Sequence, residues 1–215
     1  MFPKRLTDGY QSFLKGRFPG ESSRYQALGE TGQSPETLII GCCDSRVSPE
    51  VIFDVGPGEL FVIRNVANLV PPAETDSESS YHGTSAAIEF AVNGLKVKNI
   101  VVLGHASCGG IRAFYDDAEP LSKMDFIGKW MSQISPVAER LGESTGDRAT
   151  DLKRLELAVI EQSLSNLLTF PSIRRRVDAG ELVLHGAYFG VATGVLFVRD
   201  PATGQFAPCV ENPAG

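Results

Sequence analysis

The sequence predicts a single α/β domain built on a mostly parallel central β-sheet flanked by α-helices. Three observations predict it. Short apolar runs of strand length recur along the chain, longer segments with helical spacing separate them, and no linker, internal repeat or low-complexity tract divides the 215 residues. Strands that alternate with helices pair in parallel, and a sheet of that kind gathers its ligands at the carboxyl ends of its strands.

The elements follow in order. Residues 1–30 read as an amphipathic helical arm, with Tyr10, Phe13 and Phe18 suited to pack on a partner subunit. Thr37–Gly41 (TLIIG), Leu60–Ile63 (LFVI), Asn99–Leu103 (NIVVL) and Glu181–Leu184 (ELVL) read as buried strands. Val195–Val198 (VLFV) reads as a further strand, followed by a turn at Asp200–Gly204 (DPATG). Pro71–Ser80 (PPAETDSESS) is a surface loop rather than a domain boundary. Thr84–Gly94 has helical spacing and a glycine stop, and two long helices are expected over 125–141 and 147–170, the second halted by Pro171.

Hydrophobic residues make up 42% of the chain, enough for a substantial core without disulfides. A net charge of −6 argues against a nucleic-acid surface and a polybasic membrane anchor. No apolar run approaches the roughly 18 residues of a membrane span. The N-terminal segment lacks the continuous apolar stretch of a signal peptide, so a cytoplasmic location with reduced thiols is the expectation.

Four cysteines are present: Cys42, Cys43, Cys108 and Cys209. In a reducing compartment they are buried apolar residues, or they bind metal or catalyse. Cys42 follows the strand TLIIG, with Cys43 beside it. His105 follows NIVVLG, and Cys108 comes three residues later, where Gly109 and Gly110 open the next helix. Thiolate and imidazole ligands suit zinc, and three protein ligands leave a fourth position for water or substrate, as in a catalytic centre. A helix start at Cys108 would also favour its thiolate. Asp44 stands two residues beyond Cys42, within reach of that fourth position, and Arg46 can hold the carboxylate ionised through a two-bond fork.

These residues form the pattern Cys42-Cys43-Asp44-Ser45-Arg46 and His105-Ala106-Ser107-Cys108, which resembles the β-class carbonic anhydrases. The similarity runs from about Gln33 to Arg112 and more loosely to His185-Gly186-Ala187-Tyr188. Gln33-Ser34-Pro35, the stretch from Phe61 to Pro72 and Ala86-Ala87-Ile88-Glu89-Phe90 resemble the plant-like branch of that family. The resemblance implies one zinc ion per chain on Cys42, His105 and Cys108, with Cys43 a non-ligand and Cys209 structural. It implies reversible hydration of carbon dioxide to bicarbonate, with Asp44 and Arg46 as the catalytic pair. Gln33, Phe61, Val66, Phe90 and the backbone N–H of Gly109 would bind substrate. Phe90 stands where the family often has tyrosine, so a hydroxyl is missing there. Ile39 stands where a bicarbonate-inhibited branch carries tryptophan, which implies no such inhibitory site. In a closed state, entered when the pair with Arg46 breaks, Asp44 would itself take the fourth position on zinc.

The implied assembly is a homodimer or a higher oligomer built from dimers, with Gln33 reaching the site of the neighbouring chain. His82 and His185 are left outside the site, as lone histidines are more often structural. Two other activities compete: hydrolysis of carbon disulfide or carbonyl sulfide on the same scaffold, and non-catalytic binding of zinc or bicarbonate. A thiol-redox role for Cys42 and Cys43 is weaker, because adjacent cysteines make a strained disulfide and His105 would be unexplained.

Overall fold

A computed structural model describes residues 1–74 and 83–210. The far end of the Pro71–Ser80 loop and His82 lie outside the described residues.

The chain opens with α1 (Lys4–Lys15) and α2 (Phe18–Thr31). Neither helix buries a residue, although Tyr10, Phe13, Phe18 and Tyr25 stack into one aromatic group between them. Strand β1 (Thr37–Cys42) follows, then the short α3 (Pro49–Ile52), β2 (Leu60–Asn65) and a 3-10 turn at Val66–Asn68. Helix α4 (Gly83–Glu89) runs into a π turn at Phe90–Gly94 and leads to β3 (Asn99–His105) and α5 (Gly109–Tyr115). The helix expected over 125–141 is broken into α6 (Phe126–Met131), a 3-10 turn and α7 (Ser135–Leu141). Helix α8 (Arg148–Leu167) is capped by the Asp147 side chain, which accepts from the Thr150 N–H.

Pro171 corrects one expectation. It is the first residue of a further helix, α9 (Pro171–Asp178), since proline is tolerated where the backbone N–H has no helical partner. Strands β4 (Val183–Phe189), β5 (Leu196–Arg199) and the unanticipated β6 (Phe206–Pro208) complete the chain.

The six strands lie in the order β2-β1-β3-β4-β5-β6. The first four are parallel, and β5 and β6 add antiparallel to the edge beyond β4. Side chains alternate between the two faces as the strand period requires. Leu38, Ile40, Ile100 and Val102 face Ile160, Leu164, Leu167 and Ile173 from α8 and α9. Ile39, Leu103 and Ala187 face the other way, among half-buried Val62, Val101 and Leu196. A third cluster gathers at the carboxyl end of the sheet, where Cys42 and Cys108 pack with Ile111, Met131, Ile134 and Val159. There Gly104 allows β3 to approach α8, for a Cβ would meet Ile160 Cδ1 at 2.7 Å. No helix among the described residues is long and apolar enough to cross a membrane.

Candidate metal centre

Parallel pairing brings the ends of β1 and β3 side by side, Gly41 beside Leu103, so that Cys42 and His105 emerge from neighbouring strands at one edge. The chain then turns through Ser107, whose φ of 58° is left-handed, and enters α5 with Cys108 as its N-cap. The turn points Cys108 back at Cys42, leaving the two sulfurs 4.0 Å apart. Cys42 Sγ, Cys108 Sγ and a His105 ring nitrogen all lie within 4.8 Å of one another, and all three residues are buried.

The donor set fits a soft divalent ion. His105 Nδ1 bonds the Ala106 carbonyl oxygen at 2.9 Å, which fixes the ring and leaves Nε2 with its lone pair free. That Nε2 is buried and has no hydrogen-bond partner, an arrangement a metal ligand requires and a structural histidine does not. The sulfurs meet backbone donors as well: the N–H groups of Asp44 and Ala67 favour ionised Cys42, and those of Ile111 and Gly110 favour ionised Cys108. Without a cation the two thiols compete. The Cys108 S–H stabilises the Cys42 thiolate and pulls its pKa down, while that thiolate and burial push Cys108 up. A divalent cation between them removes the conflict, because both sulfurs then ionise.

Asp44 and Arg46 stand at the rim. Arg46 Nε donates to Asp44 Oδ1 at 2.9 Å and Nη2 to Oδ2 at 2.6 Å, while the Arg46 backbone N–H also reaches Oδ1. The guanidinium holds the carboxyl well below the usual carboxylate range. Asp44 Oδ2 lies 3.9 Å from His105 Nε2, close to the three ligand atoms but committed to the arginine. Arg46 Nη2 also donates to the Ser107 carbonyl at 3.1 Å, which ties the two ligand-bearing loops together. Sequence reasoning assigned nothing to Arg64, yet its Nε donates to the Cys42 carbonyl and its Nη2 to the Asp44 carbonyl, clamping that loop from behind.

The remaining candidates divide into two groups. Val66 follows β2 directly and packs against the start of α5, where a Cβ on Gly110 would meet Val66 Cγ1 at 2.7 Å. Gly109, exposed and with open space around it, adjoins Cys108. Gln33, Phe61 and Phe90 do not join them. Gln33 is exposed in the coil before β1, so the six residues of that strand, roughly 20 Å, separate it from Cys42 in its own chain. Phe61 is the second residue of β2, opposite Leu38, and pairs with half-exposed Phe90, their ring centroids 5.8 Å apart. Cys43 is exposed and its N–H bonds the Asn65 carbonyl. Cys209, expected to be structural, is exposed beyond β6, where a core role is not available. His185 bonds Asn99 Oδ1 from the middle of β4, away from the ligands.

The family model described as carbonic anhydrase matches residues 37–196. The chain is 33% identical to beta carbonic anhydrase 3 of Arabidopsis thaliana over 196 residues, covering 89% of this chain and 74% of that protein. It is 35% identical to a carbonic anhydrase of Pseudomonas aeruginosa over 211 residues, covering 97% and 92%. Among solved structures it superposes on the β-carbonic anhydrase CcaA with a TM-score of 0.87 at 30% identity, covering 97% and 92% of the two chains. A tetrameric β-carbonic anhydrase from Sordaria macrospora superposes with a TM-score of 0.78 at 30% identity, covering 94% and 97%.

Proposed function

We propose how this chain, which belongs to the β-class carbonic anhydrase family, carries out that family's reaction. The reaction is reversible hydration of carbon dioxide to bicarbonate and a proton, and the Cys42, His105 and Cys108 site is of the kind that holds zinc in the family. When bound, zinc supplies Lewis-acid activation of water near neutral pH. The other tasks fall to the protein.

Asp44 accepts a hydrogen bond from the attacking water and so orients it, because its Oδ2 faces His105 Nε2 and its charge is maintained by Arg46. The arginine has a second task. While the fork holds, the carboxylate is kept from the metal, and in this structure it is held so; this supports an open resting state. Val66 gives apolar carbon dioxide a wall beside the ligands, and the Gly109 N–H is placed to polarise one of its oxygens. The observation that carries the reading is the forked Asp44–Arg46 pair beside a buried, partnerless His105 Nε2.

Gln33, Phe61 and Phe90 complete the pocket from a second copy of the chain. Their distance from the metal end of their own chain supports this, as do the arm's lack of buried residues and its exposed Leu6, Tyr10 and Leu14. The assembly is thus a homodimer, alone or as the unit of a larger oligomer. The whole chain acts as one domain, with residues 1–30 as an arm on the partner. A reducing cytoplasm suits its four free cysteines, and cell fractionation tests that placement.

Stopped-flow hydration by the zinc-loaded protein tests the proposal. D44N should keep its zinc and lose roughly 10²–10⁴-fold in rate. An unchanged rate removes Asp44 from the mechanism. Negligible carbon dioxide turnover with rapid sulfide release from carbonyl sulfide would assign the scaffold to the competing hydrolysis.

A further inference from the structure

Helix α8 carries a buried acid that the reaction does not use. Glu156 is 4% exposed, on a face that also buries Leu155, Val159, Ile160, Ser163 and Leu164. A carboxylate in such surroundings is tolerated only when its oxygens are satisfied. Two neutral donors satisfy it. Oε1 accepts the backbone N–H of Cys108 at 3.0 Å, and Oε2 accepts the hydroxyl of buried Tyr188 at 2.7 Å.

The first bond falls at a place the chain leaves weak. Cys108 is the N-cap of α5, but its sulfur is turned to the metal cluster, and although the N–H groups of Gly110 and Ile111 favour its ionised form it makes no capping hydrogen bond of full geometry. The residue before it is the left-handed Ser107, a strained conformation for a residue other than glycine. The helix fixes Cys108 from its C-terminal side, through Arg112 N–H to the Cys108 carbonyl at 3.0 Å. Glu156 fixes it from the other side. Tyr188 comes from β4, the strand beside β3, so the acid is bound to both the sheet and the ligand loop.

We propose that Glu156 is a positioning residue of the metal centre, holding Cys108 in register through its backbone N–H, with Tyr188 holding Glu156. The inference rests on the zinc site of the preceding section. What is required is an acceptor for the Cys108 N–H and a hydrogen-bonding partner for the Tyr188 hydroxyl, not a charge: an amide in place of the acid can accept from Cys108 and donate to the Tyr188 oxygen. Outer-shell partners of this kind typically govern 10–100-fold in metal affinity.

The test compares E156Q and E156M with the parent, using cobalt(II) as a spectroscopic probe and release of bound zinc to a competing chelator. E156M, close in volume and with only a weak thioether acceptor, should melt as a folded protein, release zinc roughly 10–100-fold faster and show an altered thiolate-to-cobalt charge-transfer band. E156Q should restore the parental band and release rate. A folded E156M with parental release and spectrum overturns the proposal, and so does an E156Q that behaves like E156M. If E156M does not fold, Y188F decides. It keeps the ring and removes the donor that steadies the acid, so severalfold faster release supports the proposal and parental release overturns it. A parent protein that takes up neither ion would instead refute the metal site itself.

Discussion

Arg46 grips Asp44 with two parallel bonds, Nε to Oδ1 at 2.9 Å and Nη2 to Oδ2 at 2.6 Å, and the same Nη2 reaches the Ser107 carbonyl on the other ligand loop. One guanidinium therefore sets both the direction of the carboxylate and the spacing of two loops. Lysine preserves the charge but cannot form the fork. R46K should keep its zinc and fall about tenfold or more in hydration rate. A parental rate would mean that charge alone is needed.

The Asp151 carboxylate organises the turn between α7 and α8. Ser144 and Thr145 donate to it from their hydroxyls, the Thr145 backbone N–H adds a third bond, and the Tyr115 hydroxyl lies 3.3 Å away. These donors, the Ser144 hydroxyl first, hold its pKa below the ordinary carboxylate value in the folded chain. A lowered folded pKa contributes stability above the unfolded pKa of about 3.9 and loses it as pH falls through the folded value. D151N should therefore melt lower than the parent at pH 7, and the gap should narrow as the pH is taken below about 4. A gap independent of pH would assign the effect to packing.

Which parts of this structure could be read in the sequence depends on where the information lies. The ligands were legible because Cys42 and His105 each end an apolar strand, a parallel sheet brings strand ends together, and Cys108 follows His105 by three residues. Asp44 and Arg46 were legible because they lie within four residues of Cys42. Glu156 was not. In RLELAVIEQ it stands among other charges on a helix, and only the three-dimensional packing of α8 on β3 and β4 turns it inward. Pro171 misled because a proline ends one helix and begins another with equal ease. β6 escaped notice because three residues carry no period, and a short antiparallel edge needs β5 to define it.

Removal of the metal should cost stability as well as activity. The two sulfurs 4.0 Å apart can both ionise readily only around a cation, and His105 Nε2 has no other partner. A ligand present at about a thousand times its Kd stabilises the folded state by about 4 kcal/mol, which for a chain of this size shifts Tm by about 8–16 °C. Chelator-treated protein should therefore melt about that much lower, and added zinc should restore the transition. Equal melting curves with and without zinc would show that the metal does not bind the folded chain in preference to the unfolded one.

The division of the pocket between the two ends of β1 makes a prediction that only a shared site satisfies. Gln33 lies before the strand and Asp44 just after it, so in the proposed dimer each site would take its aspartate from one chain and its glutamine from the other. Q33A and D44N should each be strongly impaired as homodimers. In a mixed dimer both lesions fall in one site and the second site is intact. Co-expression in equal amounts gives mixed dimers as about half the population, with one intact site in two, so about a quarter of the parental hydration activity should return. Purified mixed dimers, isolated with two affinity tags, should reach about half. If the mixture is no more active than the average of the two variants, Gln33 and Asp44 serve the same chain or do not meet, and the shared pocket is refuted.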